Sequence, residues 1–345
     1  RRLSGPLCDA VLGRTDSHAI LQQLEHDGLF LSALEASGTW FRYHGLFAAH
    51  LRDSLARAGP DAVAHLHALA ARWHYGQGAL GEAVHHALEA RDMPLAVQAL
   101  NDWSTQLVAT AELVTVAQWY DRVATVAMED VARHPDLMIK TAWALTFLRS
   151  RARLRPLLDM LEEQRGYGSI ARTTDPRVVL SMAAMFEDDL SGAAALLGDL
   201  AELRAPAASG FAAFELGAAA NLRAFDALGH ADAEGAHHLL ILAHSHNGRA
   251  DAPFSAGYTL AVEGMARLLT AQPQQALREL AAASARRAPG AGATASAALV
   301  ASQIWAAYEV DALDEVERLA SQFGEQIASG VVPDFIAAAL LSLAR

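Results

Sequence analysis

Apolar residues recur three to four positions apart along most of the chain, and short turns interrupt the runs. The first stretch, to about Arg57, has a different pattern. Asp16 or Ser17 can cap a helix through Glu25-His26, which Gly28 breaks. Leu29-Phe30-Leu31 and Trp40-Phe41-Arg42-Tyr43 read as short strands, joined by a polar turn around Ser37-Gly38-Thr39. A further helix is expected from His44 to about Ala58, with Leu46, Phe47 and Leu51 docking it on the first helical repeat beyond Pro60. Helix, hairpin, helix is the layout of a winged-helix module.

Beyond Pro60 the pattern predicts paired helices, at a period of roughly 33–45 residues that suits two-helix solenoid repeats. The clearest unit is AARWHYGQGALGEAVHHALEA, where Ala71, Trp73, Gly78, Leu80, Ala83 and Ala90 follow tetratricopeptide spacing. Gly78 is placed to end the first helix in a left-handed turn, and the small residues allow close packing. The same turn-then-small pattern returns at Leu113-Val116, Leu190-Ala193, Pro273-Ala276 and Leu313-Val316. Pro94, Pro135, Pro176, Pro253 and Pro333 mark new pairs, since proline suits a first helical turn. About seven pairs result. The third departs from the pattern at Arg149, where a turn glycine is expected, and the fifth is ambiguous between Gly229 and Ala236. The expected fold is all-α, with a winged-helix segment over 1–58 and a superhelix of tetratricopeptide-like pairs over 59–345. The array is expected to be cut at both ends: VPDFIAAALLSLAR reads as an unpartnered half-pair.

Composition narrows the function. Abundant Ala and Leu favour helix. A net charge of −12 argues against gripping nucleic acid through phosphates. Cys8 is the only cysteine, which rules out an intrachain disulfide and fits a reducing compartment. No signal peptide is expected, because only a few apolar residues stand between Arg1-Arg2 and Asp9. The uncharged stretch Ala291 to Tyr308 approaches spanning length but carries Thr294, Ser296, Ser302 and Gln303, so a buried repeat helix is expected and no membrane partner.

LSGPLCDAVLGRTDS (3–17), LEHDGLFL (24–31) and WFRYHGLFAAHLRDSL (40–55) resemble, in order, the winged-helix segment of MalT-like, LuxR-type ATP-dependent regulators. The repeat region resembles that family's sensor domain in its period and in the first pair's motif. The resemblance implies a cytoplasmic parent with an ATPase module before this segment and a DNA-reading helix-turn-helix after it. It also implies ATP as the parent's cofactor, self-association, and an inducer or regulatory protein as the partner of the repeats. The ATPase and DNA-reading parts are expected to lie outside this chain, leaving it no cofactor and no enzymatic activity of its own. The alternative is a generic tetratricopeptide adaptor for a peptide or protein, which has no need of a winged-helix segment.

Other motifs yield to plainer readings. Lys140-Thr141 lacks the glycines of a phosphate loop. Gly290-Ala291-Gly292-Ala293-Thr294-Ala295 formally fits a dinucleotide fingerprint but has no strand before it, so a loop between pairs is expected. His237 and His244 stand two turns apart, beyond one-turn chelation, and with His238, His246 and His85-His86 read as surface or packing residues. Glu162-Glu163 and Asp188-Asp189 cannot present two carboxylates to one substrate, because neighbours on a helix diverge by about 100°. No metal site is expected.

Repeat geometry supplies the candidate binding face. The first helix of each pair should line the concave surface. Aligned on their turns, Trp143 and Trp305 occupy the same position, with Thr146 and Tyr308 one turn on. The first pair offers His65, Arg72 and Tyr75, the second Gln98, Asn101 and Thr105, and the sixth Tyr258 and Met265. Aromatic side chains with polar neighbours suit sugars, aromatic small molecules or peptides. Trp73, Trp103 and Trp119 are expected to pack between helices.

Overall fold

The computed structural model describes residues 2–35, 37–57, 59–165, 176–198, 210–286 and 292–331, then 333, 335, 337 and 339. The chain divides into two compact units, Arg1–Trp103 with Arg122–Arg133, and Ser104–Asp121 with His134–Arg345.

The first unit opens with β1 (Leu3–Ser4) and α1 (Gly5–Leu12). Pro6 sits in the first turn of α1, and the Ser4 hydroxyl accepts the Leu7 N–H at 3.4 Å. Next come α2 (Ser17–His26), β2 (Leu31–Ala33), β3 (Trp40–Tyr43) and α3 (Gly45–Ala56). The hairpin and its flanking helices are as the pattern predicts, though β2 starts at Leu31, because Gly28 and Phe30 both take left-handed backbone. The sheet is antiparallel in the order β1-β3-β2, with Leu3 and Ala33 both paired to Phe41. Alternation along β3 puts Phe41 inside at 0% exposure and Arg42 outside. Phe41 packs with Leu21 and Leu31, which Leu3, Cys8 and Leu24 flank. Burying one such side chain stabilises by about 1.5–3 kcal/mol.

The expected docking of α3 needs correction. It has no buried residue, and Leu46 is 80% exposed. Phe47 turns instead to Phe30 and Tyr43, with ring centroids at 5.1 and 5.5 Å. Its neighbour Leu46, about 100° round the helix, is thereby aimed at solvent. The winged-helix element that packs most on α4 (Pro60–Gly76) is α1.

Helix α4 pairs with α5 (Leu80–Ala90), with Ala71 and Ala87 buried in one cluster. The next pair, α6 (Met93–Ala109) and α7 (Leu113–Ala132), passes from one unit to the other. The second unit continues as α8 (Pro135–Phe147) with α9 (Arg151–Arg165), and α10 (Pro176–Phe186) with α11 (Leu190–Leu197). Then come α12 (Gly210–Gly229) with α13 (Ala233–Ala250), and α14 (Pro253–Leu269) with α15 (Pro273–Arg286). The last pair is α16 (Gly292–Glu309) with α17 (Leu313–Gly330), so the described residues hold seven pairs.

All seven pairs turn in the same way. One residue has positive φ: Gly78, Ala111, Arg149, Asp188, Ala231, Ala271 and Asp311 in turn. The N–H of the next residue reaches back five residues, as Ala79 does to the His74 carbonyl at 2.9 Å and Ser150 to Leu145 at 3.0 Å. This closure satisfies carbonyls that a helix end leaves bare. Arg149 is therefore no departure: it adopts the turn at φ 52 without being glycine. Ala231 likewise settles the register of the fifth pair.

Among the described residues no helix is long and apolar enough to cross a membrane. The uncharged stretch is α16, packed among α14, α15 and α17. Gly290 and Ala291 of the formal dinucleotide motif lie outside the described residues. Gly292 has its own reason: φ is +77, and a Cβ there would come within 2.4 Å of the Ala111 Cβ. Lys140-Thr141 lies inside α8, with Lys140 4% exposed over the Phe211 ring. The side chain of Glu162 and most of the half-pair from Pro333 lie outside the described residues. Asp189 caps α11 by accepting the Gly192 N–H at 2.9 Å.

Candidate functional site

Three expected binding-face residues turn inward to the core of the second unit. Trp143 is 1% exposed, and its Nε1 donates to Glu215 Oε1 at 3.2 Å. Its indole meets the edge of Phe214 at 5.1 Å and stacks on Phe147 at 6.1 Å. Phe147 in turn meets Phe254 at 4.8 Å and Tyr258 at 5.8 Å. The first helices of pairs three, five and six thus press together here through their aromatic side chains. Thr146 is buried and donates to the Ala142 carbonyl of its own helix at 2.8 Å. Tyr258 is buried too, and burial pushes its phenol well above the ordinary range.

A cleft of about 970 Å³ opens at the C-terminal ends of α10, α12, α14 and α16, and α11 forms one wall. Trp305 and Tyr308 border it, half-buried, with Met265 from α14. Leu222 and Phe225 of α12 complete an apolar lining. The Trp305 Nε1 donates to Glu309 Oε1 at 3.1 Å, one helical turn on, which fixes the indole. Polar groups stand at one side, where Arg223 donates to the Gly198 carbonyl at 3.1 Å and His230 contacts the Asp226 carbonyl oxygen at 2.9 Å. Apolar walls, a held indole and a few convergent polar groups make this cleft the candidate site.

After α17, Val331 and Phe335 lie against the core of this unit. Val331 is fully buried, and its carbonyl accepts Arg149 Nη2 at 2.7 Å. Phe335 stacks on Phe225 at 5.7 Å and lines an inner crevice with Trp143 and Phe147, while Ala337 reaches the open cleft. Sequence reasoning missed this contact, because it joins positions some 110 residues and more apart.

The other expected residues belong to the first unit, except Thr105. Tyr75 donates to Asp102 Oδ2 at 2.6 Å and accepts from Gln98 Nε2 at 3.0 Å. That bond to Asp102 raises the Tyr75 phenol above its usual value. Arg72 is exposed and 3.8 Å from Asp92, His65 is exposed, and Asn101 and Thr105 are half-buried. Trp73 and Trp119 are half-buried, and Trp103 lies so close to Gly81 that a Cβ there would meet its ring at 2.8 Å.

One grouping escaped the sequence reading, which took only His85-His86 as a pair. Between α4 and α5, His67 Nδ1 lies 2.8 Å from His86 Nδ1. The His74 ring stacks on His86 at 5.3 Å with 13° between planes, and His85 sits edge-on to His86 at 5.3 Å. The available signal was His67 and His74, seven apart on one helix face, opposite the adjacent pair. Burial holds the His74 imidazole below its ordinary range, with Glu82 opposing that shift and Arg2 adding to it. Elsewhere, His244 Nε2 is 2.9 Å from Glu263 Oε1, which raises its imidazole, and His246 is buried beside Arg249. His237 and His238 are exposed. Among the described residues no group of three or more His, Cys, Asp or Glu is placed to hold a metal ion.

Residues 1–63 match the MalT winged helix domain. The serine/threonine-protein kinase PknK of Mycobacterium tuberculosis is 33% identical over 193 residues, covering 54% of this chain and 17% of its own length. The HTH-type transcriptional regulator MalT of Klebsiella pneumoniae is 28% identical over 164 residues, 48% of this chain and 18% of that protein. MalT of Cronobacter sakazakii is 28% identical over the same length. The chain spans less than a fifth of the length of these curated relatives, and no solved structure matches it. The first 63 residues are thus similar to the MalT winged helix domain, and paired helices follow them.

Proposed function

We propose that this chain is the signal-receiving region of a MalT-like, LuxR-type transcriptional regulator. An inducer or a regulatory protein enters the cleft bordered by Trp305 and Tyr308. The observation that carries this reading is that cleft, about 970 Å³ of largely apolar lining with its indole already held by Glu309. A space of that size takes a small organic molecule or a few peptide side chains. In this reading the chain performs no chemistry. ATP hydrolysis, self-association and DNA reading belong to other parts of a cytoplasmic parent.

The likeness to a protein named as a kinase supports a second reading. There the same paired helices act as an adaptor that receives a peptide or protein for a signalling partner module. The two readings share the cleft and differ in what it controls.

Thermal unfolding of the chain with a panel of neutral sugars, aromatic metabolites and short peptides tests the cleft. A ligand that binds only the folded state raises the melting temperature. The expected result is a shift with at least one class that Trp305→Ala abolishes. Equal shifts in the parent and in Trp305→Ala, or none with any class, would refute binding there. Sugars or metabolites as the hit favour the regulator, and peptides favour the adaptor.

A further inference from the structure

Neither reading uses a further cleft in the second unit, about 720 Å³ in volume, whose walls are α15 and α17. Its origin is visible in the sequence of α15. The last turns of that helix carry Ala281, Ala283, Ser284 and Ala285, small side chains that leave the space beside α17 open. The floor is apolar and buried, with Leu299 and Val300 from α16 and Leu319 and Phe323 from α17. No residue is shared with the cleft bordered by Trp305.

The polar groups of this cleft fall into two sets. In the first, Ser284 donates to Gln303 Oε1 at 3.2 Å, and Gln303 Nε2 donates to Glu315 Oε1 at 3.3 Å. Arg318 then grips the Glu315 carboxylate with two bonds of 2.7 Å. Gln303 is 4% exposed, and this relay engages both ends of its amide, so the buried polar atoms ask nothing of a ligand. The second set is Arg286, exposed in the last turn of α15. Its Nε donates to the Ala282 carbonyl of its own helix at 3.2 Å, and its terminal nitrogens have no partner among the described residues. Arg318 and Glu315 neutralise each other. Arg286 is thus a cation in excess at this cleft, in a chain whose net charge is −12.

We propose that this cleft binds an apolar monocarboxylate, its chain on Leu299, Val300, Leu319 and Phe323 and its carboxylate at Arg286. An apolar floor with its polar wall already satisfied takes a hydrocarbon body, and one excess cation at the mouth selects one negative charge. The volume lies within the range of small-molecule sites.

Calorimetric titration of the whole chain with octanoate at low salt tests this, beside 1-octanol, which lacks the charge, and acetate, which lacks the chain. Octanoate should saturate a single site. Octanol should bind about fivefold more weakly, the factor of an ion pair at an exposed position, and acetate should not bind detectably. Arg286→Gln should lose that same factor for octanoate and leave octanol unchanged. Ala285→Trp, which fills the cleft from an exposed position, should abolish binding of both, and Trp305→Ala should affect neither. Equal affinities for octanoate and octanol, non-saturating uptake, undiminished binding in Ala285→Trp, or loss of binding in Trp305→Ala would each overturn the proposal. Should a variant not fold, the parent decides: salt raised to about 0.5 M should weaken octanoate and spare octanol, and an equal response of the two would overturn it.

Discussion

Arg149 Nη2 lies 2.7 Å from the Val331 carbonyl oxygen, so one arginine holds both the turn of the third pair and the chain leaving the seventh. Its guanidinium also sits 5.0 Å over the Phe186 ring. Removing the side chain bares a buried carbonyl end. Arg149→Ala is expected to cost about 1–2 kcal/mol, the range for a hydrogen bond with a charged donor at a partly exposed site. Arg149→Gly should recover part of that loss by relieving the left-handed backbone. Urea unfolding of the three proteins checks the order parent, glycine, alanine; a glycine variant less stable than the alanine one would contradict it.

The repeated turns make a second comparison possible. Ala231 and Ala271 hold φ at 60° and 57° with a Cβ in place, whereas Gly78 does so at 71° with open space around it. Left-handed backbone costs a non-glycine residue about 1–2 kcal/mol. Ala271→Gly is therefore expected to stabilise by roughly 0.5–1 kcal/mol, after the greater chain entropy of glycine is deducted. Gly78→Ala should destabilise by about 1–2 kcal/mol. Opposite signs in denaturant midpoints are the expected outcome.

Trp143 and Trp305 share a repeat position and should respond differently. Trp143→Ala leaves a cavity in the aromatic core and is expected to cost about 3–5 kcal/mol. Trp305→Ala, at the half-buried border of the cleft, should cost about 1 kcal/mol or less. Melting curves of the two variants make the test, and equal losses would place both indoles in the same surroundings.

Two histidines should pull stability in opposite directions with pH. The Glu263 carboxylate raises His244, so its contribution is full below about pH 6.5 and fades as pH rises through its folded value. His74 behaves in the reverse sense. Glu263→Gln should lower the melting temperature more at pH 5.5 than at pH 8. The same difference at both would exclude the ion pair as its source.

Proline and glycine punctuation made the helix pairs readable, because a ring at a first turn or an absent Cβ acts locally. Ala231 and Arg149 gave no such signal. They adopt a conformation that favours glycine, and packing offsets the strain. The same limit governs the binding face. Repeat alignment locates the inner side of a helix but not what lies across from it. Trp143 donates to Glu215, 72 residues away, while Trp305 at the equivalent position donates to Glu309 of its own helix. The histidine cluster depends on both kinds of information: spacing brings His67 and His74 to one face, and only the pairing of α4 with α5 turns His86 toward them.

The seven turns are local, each closed within a few residues, and a stack built only of such joints could fray one pair at a time from its ends. The second unit has cross-links that forbid this. Gly292, at the start of the seventh pair, is pressed against Ala111 in the turn of the second, and Phe147 of the third pair meets Phe254 of the sixth. Loosening either end therefore exposes aromatic surface in the middle. The unit should melt as a single cooperative block, with one transition and near-uniform exchange from α8 to α17, and trimming it by whole pairs should destroy it.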